Sequence, residues 1–256
     1  IDLSDFEATY AVINETKPDL IVNFAAESHV DRSLDNPRIF TLNNINSTLN
    51  ILEASKLYFD KLSIKKKDNF LFHQISTDEV FGSLGDSGSF NEDTKFDPRS
   101  PYSASKASTD HLTLAWHHSF GIPVKITNCS NNYGPYQFPE KLIPLTIIKC
   151  MNNEIIPVYG DGLQIRDWLH VDDHINALVK VIEKGEVGKT YCIGGFGEST
   201  NIDVVKSICS HFDKLNPKNE TYLNLINLVK DRPGHDRRYS IDSNLIQKDL
   251  NWEPKF

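Results

Sequence analysis

Thr77, Asp78 and Glu79 are consecutive, and Tyr102 and Lys106 follow at a spacing of four. A tyrosine and a lysine at i and i+4 share one helix face, so the ammonium can hold the phenol hydroxyl near a cofactor and favour its ionised form. Such a pair takes the proton from an alcohol as it is oxidised. The adjacent carboxyls of Asp78 and Glu79 add what alcohol oxidation alone does not need, an acid and a base for removing water. One Tyr-x-x-x-Lys match in a chain with nine tyrosines is a weak signal by itself. The competing reading makes Asp78 and Glu79 solvated loop acids and Tyr102 a helix-start aromatic.

Context separates the two. Residues 69–76 read as a buried strand, so 76–79 fall where its carboxyl end opens into a loop, the place where ligands bind in open α/β sheets. Residues 19–26 form another continuous apolar strand, and 38–58 carry Ile39, Leu42, Ile45, Leu49, Leu52 and Leu57 at near-helical spacing. Pro101 precedes a helix over 102–120, with apolar surface from Ala104, Leu112, Leu114, Ala115 and Trp116, and Gly121 to Pro123 close it before a strand over 124–129. This is the rhythm of a doubly wound parallel sheet. Beyond residue 130 the pattern predicts a Pro/Gly/Asn-rich loop over 131–139, helices over 142–152, 172–184 and 202–212, and short strands over 155–159 and 189–193, a smaller lobe interleaved with the last sheet strands.

At 256 residues with 39% hydrophobic side chains, the chain can bury a substantial core, and no apolar run approaches the length of a membrane span. A net charge of −8 and a pI near 5.6 argue against a general binder of nucleic acid or anionic membrane. The short run Lys65 to Lys67 reads as an exposed loop. Cys129, Cys150, Cys192 and Cys209 lack C-x-x-C spacing and sit in apolar surroundings, as reduced core thiols of a cytoplasmic protein do. The chain opens at Ile1, with no positively charged apolar segment ahead of its first helix, so an N-terminal truncation rather than a secretion signal is expected. A Gly-rich turn for a dinucleotide would have to lie upstream: Gly82, Gly85 and Gly88 follow a strand, but residues 89–98 lack a helical period and carry a breaker, so 82–88 read as a mobile loop. His170 and His174 flank two aspartates at metal-like spacing, but no third ligand cluster accompanies them. Asp172 and Asp173 read instead as helix caps, and no metal is expected.

Six runs occur in order: 23–33 (NFAAESHVDRS), 76–82 (STDEVFG), 100–106 (SPYSASK), 131–136 (NNYGPY), 166–173 (RDWLHVDD) and 231–239 (DRPGHDRRY). Together they resemble the dTDP-glucose 4,6-dehydratases, which are extended short-chain dehydrogenase/reductases, and the likeness covers essentially the whole chain. The resemblance implies a Rossmann-like NAD-binding domain over 1–130, truncated at its start, and a mainly nucleotide-sugar-binding lobe over 131–256. It implies NAD as cofactor and a catalytic set of Thr77, Asp78, Glu79, Tyr102 and Lys106. Tyr102, assisted by Lys106, would take the C4 hydroxyl proton, with Thr77 on the same oxygen. Glu79 would be the base at C5 and protonated Asp78 the acid toward the C6 hydroxyl.

Cofactor contacts implied by the resemblance are Asp2 and Leu3 beside the adenine, Phe24, Ala25, Ala26 and Ser28 beside the nicotinamide ribose, Asn43 at a position commonly Thr in relatives, and Asn132, together with Tyr102 and Lys106. The implied nucleotide-sugar contacts are Ser28, Thr77, Asn131, Lys141, Leu142, Pro157, Tyr159, Arg166, Asn201, Asp231, Arg232 and His235. A net-acidic protein that binds a diphosphate must concentrate cations locally, which Arg166, Arg232, Lys141 and His235 would do. The helices over 38–58 and 102–120 pair across a two-fold axis in this family, implying a homodimer. Rival readings are a 4,6-dehydratase for another nucleotide, a 4-epimerase, which has no use for the Asp78–Glu79 pair, and a non-catalytic nucleotide-sugar-binding module, which has no use for Tyr102 and Lys106 either.

Overall fold

A computed structural model describes residues 1–256. Asp5 accepts a hydrogen bond from Ala8 N and starts α1 (Phe6–Thr16), which Lys17 ends in the left-handed conformation. The strand expected over 19–26 is shorter. It is β1 (Leu20–Asn23), because the Asn23 side chain turns inward to Gln74 Oε1 (2.9 Å) while its Oδ1 accepts from Ala25 N (3.2 Å), bending the backbone out of the sheet. A short α2 (Val30–Asp35) follows, then α3 (Pro37–Asp60), which has Pro37 in its first turn and Asn36 as its cap. The lysine run expected in a loop forms one exposed helical turn, α4 (Ile64–Lys67).

Every residue of β2 (Leu71–Thr77) is buried, and the strand passes directly into a 3-10 turn over Asp78–Phe81. Gly82 leaves that turn at φ 88°, where a Cβ would come within 2.6 Å of Asp97 O, so glycine is required. The loop over 82–88 does not move freely as the sequence suggested: Arg238 Nη1 donates to Gly88 O (2.9 Å), and Leu84 N donates to Arg238 O (3.0 Å). Ser100 and Ser103 form a reciprocal capping box around Pro101 at the start of α5 (Pro101–Phe120), and Gly121 closes it.

β3 (Val124–Cys129) leads to β4 (Asn131–Tyr133), where only a loop was expected; those residues pair in parallel with Trp168–His170. The rest of the chain runs α6 (Leu142–Asn152), β5 (Ile156–Tyr159), β6 (Ile165–His170), α7 (Val171–Lys184), β7 (Thr190–Ile193), β8 (Glu198–Thr200), α8 (Asn201–Leu215), β9 (Ile226–Val229) and α9 (Asn244–Leu250). The cap of α7 is His170, whose Nδ1 accepts from Asp172 N, and not the expected aspartates. Asp173 is buried and accepts from Lys255 N and Phe256 N, tying down the C-terminal segment.

The main sheet is parallel throughout, in the order β1-β2-β3-β7. Alternation along β2 sorts its side chains between two helical layers. Phe72 packs with α1 and α3, Gln74 reaches Thr109 and Ser76 reaches Asp110 on α5, while Ile75 packs with α7 and α9 on the other face. Small sheets β4-β6-β8 and β5-β9 carry the second half, where α6 and α8 share a core around Cys150, Ile156, Val158, Val205 and Cys209. The four cysteines are free thiols. No helix is long and apolar enough to cross a membrane.

Two buried imidazoles make stability depend on acid. Burial holds His73 down to about 3 and His174 to about 4, and His174 Nε2 has no hydrogen-bond partner. Between the unfolded value near 6.5 and those folded values, the unfolded chain binds more protons, so stability falls as pH falls. His174→Leu removes one of these groups without leaving a polar atom unpaired. Urea unfolding from pH 7 to 4 should show the variant losing less stability than the parent, by roughly 3 kcal/mol at pH 4.

Candidate active site

The carboxyl ends of β2 and β3 gather the groups that the sequence singled out. Thr77 Oγ1 donates to Asp78 Oδ1 and accepts from Glu79 N, both at 3.2 Å, which fixes the first turn after β2. Tyr102 and Lys106 are buried on the face of α5 that covers this turn. Lys106 Nζ donates to Ile75 O at 2.7 Å, so the ammonium is anchored to β2 rather than hydrogen-bonded to the phenol. Burial, reinforced by the negative charge of Glu79, pushes the Tyr102 phenol well above its usual range, and Thr77 pulls the other way.

The two carboxyls differ in their surroundings. Asp78 is buried, with Glu79 and Asp167 adding negative charge, so burial first and repulsion second hold its pKa well above the ordinary carboxyl value. Glu79 is also raised by burial, but Arg232, Arg166 and Lys141 all pull it back toward ionisation. Asp78 therefore keeps its proton to higher pH than Glu79 does. Neighbouring carboxyls pushed apart in this way can serve as an acid and a base at one pH.

Glu79 lies in the wall of a cleft of about 470 Å³ between the sheet and the second lobe, within the usual range for a small-molecule site. Of the twelve predicted nucleotide-sugar contacts, Ser28, Asn131, Lys141, Leu142, Pro157, Tyr159, Arg166, Asn201, Arg232 and His235 line it. Thr77 and Asp231 do not. Asp231 stands behind the wall, where its Oδ1 bonds His235 Nδ1 at 2.6 Å and its Oδ2 accepts from Gln164. Arg166 is held by Ile165 O (2.7 Å) and Asp236 O (2.9 Å) and lies 4.2 Å above the Tyr239 ring.

The sequence reading missed Asp31, Glu140, Leu145, Trp168 and Tyr239, which line the same cleft. Asp31 on α2 pairs with Arg232 Nη1 and accepts from Tyr159 OH, each at 3.1 Å, so it bridges the lobes. Glu140 does the same with Arg32 at 2.8 Å. Glu140 carries no local sequence signal, whereas Asp31 lies inside the run 23–33. Trp168 and Tyr239 fall inside motif runs already singled out, and Leu145 is one helical turn from Leu142, so those three were within reach too.

Some of the expected cofactor contacts follow the carboxyl ends of sheet strands, Phe24, Ala25 and Ala26 after β1 and Asn132 after β3. Phe24, Ala25 and Ala26 are exposed just past β1, and Asn132 Oδ1 is buried with no hydrogen-bond partner. Asn50 Nδ2 donates to Leu3 O and Ser4 O, holding the Asp2–Leu3 turn with Asp2 exposed. Asn43 is exposed on α3, and it is the adjacent Asn44 that is buried, bonding Glu27 N, Glu27 O and Ser105 Oγ. An exposed segment after β1 and an unpaired buried amide oxygen after β3 both stand at carboxyl ends of parallel strands, where a dinucleotide would fit.

A family model described as GDP-mannose 4,6 dehydratase matches residues 1–256. The chain is 51% identical over 257 residues to a dTDP-glucose 4,6-dehydratase of Xanthomonas campestris pv. campestris, covering 100% of this chain and 73% of that protein. The chain belongs to the dTDP-glucose 4,6-dehydratase family. Solved dehydratases agree: the Streptomyces venezuelae enzyme with NAD and TYD bound superposes with a TM-score of 0.89 at 38% identity, covering 100% of this chain and 74% of that one. The Bacillus anthracis enzyme in complex with NAD gives 0.84 at 42% identity over the same shares.

In this dehydratase the unequal environments of Asp78 and Glu79 can be checked directly. Glu79→Gln removes the nearest negative charge from Asp78, so its carboxyl should titrate at lower pH, as read by carboxyl carbon NMR. An unmoved titration would show that the two groups are uncoupled.

Proposed function

We propose that the protein is a dTDP-glucose 4,6-dehydratase that converts dTDP-glucose to dTDP-4-keto-6-deoxyglucose and water with NAD. One observation carries this reading: Glu79, beside buried Asp78, looks into a cleft bearing Arg166, Arg232 and Lys141, while Tyr102 and Lys106 sit over the end of the same strand. NAD, when bound, would accept a hydride from the sugar and return it. We further propose that residues 1–130 form the NAD-binding part and residues 131–256 the mainly nucleotide-sugar-binding part, a reading supported by the second half supplying most of the cleft lining.

In this proposal Tyr102 takes the proton of the C4 hydroxyl and Thr77 hydrogen-bonds that oxygen. Burial keeps the phenol neutral until positive charge favours its ionised form, and Lys106, one turn along α5, is the chain's own source of it. Once C4 is a ketone the C5 hydrogen is acidic, and Glu79, kept ionisable by three cations, removes it. Asp78 gives its proton to the C6 hydroxyl as water leaves. Arg166, Arg232 and Lys141 hold the diphosphate, with Asn131, Leu142, Pro157, Tyr159, Asn201 and His235 around the rest of the nucleotide sugar. An epimerase needs no acid and base at C5 and C6, so the Asp78–Glu79 pair separates the two readings.

The intact enzyme with Tyr102→Phe should lose sugar oxidation by at least about a hundredfold. Glu79→Gln should still oxidise C4 while failing to exchange the C5 hydrogen. Solvent deuterium uptake at C5, followed by mass spectrometry, decides it: uptake at the parental rate in the Gln variant would remove Glu79 from this role.

We also propose a homodimer formed through α3 and α5. Ile39, Leu42 and Phe120 are each more than 40% exposed on those helices, an apolar surface that a second copy would cover. Free thiols and an acidic surface suit a cytoplasmic enzyme. Leu42→Asp combined with Ile39→Asp should shift the mass measured by light scattering from dimer to monomer, and an unchanged mass would place the interface elsewhere.

A further inference from the structure

Asp110 is buried one turn beyond Lys106 on α5, in a place the reaction described above does not use. Its Oδ2 accepts from Ser76 Oγ (2.7 Å) and from Asn128 Nδ2 (3.1 Å). The same Asn128 amide donates to Thr77 O at 3.0 Å. Ser76 and Asn128 are register partners on β2 and β3. One carboxylate thus grips both strands immediately beneath the Thr77–Glu79 turn, and Lys106, with its hydrogen bond spent on Ile75 O, has no closer carboxylate on α5.

We propose that Asp110 is a positioning residue for the dehydratase: it locks the ends of β2 and β3 under the acid–base turn and supplies the through-space counter-charge that keeps Lys106 an ammonium beside Tyr102. The groups acting on Lys106 are Asp110 on α5, Ile75 O on β2 and Cys129 on β3, with Tyr102 one turn before it on the same helix and Asp78 and Glu79 acting on that phenol. Burial lowers the Lys106 pKa, and Asp110 is the foremost group opposing that fall. Asp110 itself is lifted by burial to about 6, with Lys106, Ser76 and Asn128 restraining the rise. The inference rests on the roles given to Tyr102 and Lys106, but its principal readout does not require them to be right.

Asp110→Asn in the intact NAD-loaded enzyme keeps the shape and an acceptor for Ser76 while removing the charge. With lysine Nζ labelled for nitrogen NMR and the Lys106 signal identified by its loss in Lys106→Arg, the Lys106 titration midpoint should fall by about one unit or more, at least tenfold in acidity. The alkaline limb of kcat should move the same way, with KM for the sugar nucleotide changed by less than about twofold. A residue that only braces the fold would lower Tm and kcat while leaving the Lys106 midpoint where it was, and that result overturns the proposal. Should the Asn variant fail to fold, Ser76→Ala takes its place. Losing the Ser76 donor raises the Asp110 titration, so the acid limb of kcat should move to higher pH, and an unmoved limb overturns the proposal equally.

Discussion

Burying charge is the constraint on which the rest of this structure depends. Asp78, Tyr102, Lys106 and Asp110 are all removed from water around the last residues of β2, and an ion taken into a protein interior costs several kcal/mol unless other groups compensate it. Compensation here comes from the ends of the strands. Ile75 O receives the ammonium, Ser76 and Asn128 bond Asp110, and burial together with neighbouring negative charge raises the Asp78 carboxyl toward its uncharged form. A parallel ladder supplies these partners together, because its register sets Ser76 beside Asn128 and Thr77 beside Cys129. The site sits where β2 stops, because the chain leaves the ladder after Thr77 and enters the 3-10 turn that carries Asp78 and Glu79.

The same strand explains why the sheet is not uniformly apolar. On the face toward α5, Gln74 and Ser76 replace the aliphatic residues that a doubly wound sheet usually buries. Each is matched on the helix, Gln74 with Thr109 and Ser76 with Asp110, and Gln74 also accepts from Asn23 on β1. Half-satisfied polar networks in a core are costly, whereas satisfied ones fix a single arrangement of the elements they join. Here they fix α5 against β2, and with it the height of Tyr102 above Asp78.

How far the sequence carried depended on whether an element's own residues announced it. The bounds of α6 and β3 match the sequence reading, because an apolar helical period and a β-branched run flanked by Pro123 are local signals. β4, β6 and β8 did not announce themselves. Arg166, Asp167 and His170 break the apolar pattern of β6, and its strand character comes from pairing with Asn131–Tyr133 and Glu198–Thr200, residues distant in sequence. The site divides along the same line. Tyr102, Lys106, Asp78 and Glu79 could be found from spacing because one turn and one helix face carry them. Asp31 lies inside the run 23–33, yet its contact could not be read there, since nothing in that run shows that Tyr159 and Arg232 will meet it.

That last contact shows how the two lobes are joined. The core around Cys150, Ile156, Val158, Val205 and Cys209 shares no residue with the cores that pack on the main sheet. The two parts nonetheless share apolar packing, Ile75 with Leu169 and Phe81 with Tyr239 and Ile241, and across the cleft itself they meet through Asp31 with Arg232 and Tyr159, Glu140 with Arg32, and Lys141 with Ser28 O. Partly exposed pairs of this kind are worth only about 0–1 kcal/mol each. The groups that hold these pairs, Arg232 and Lys141 above all, are also the cations that pull Glu79 toward ionisation. Whatever draws those cations away from Asp31 and Ser28 therefore acts at once on the contacts across the cleft and on the proton affinity of Glu79.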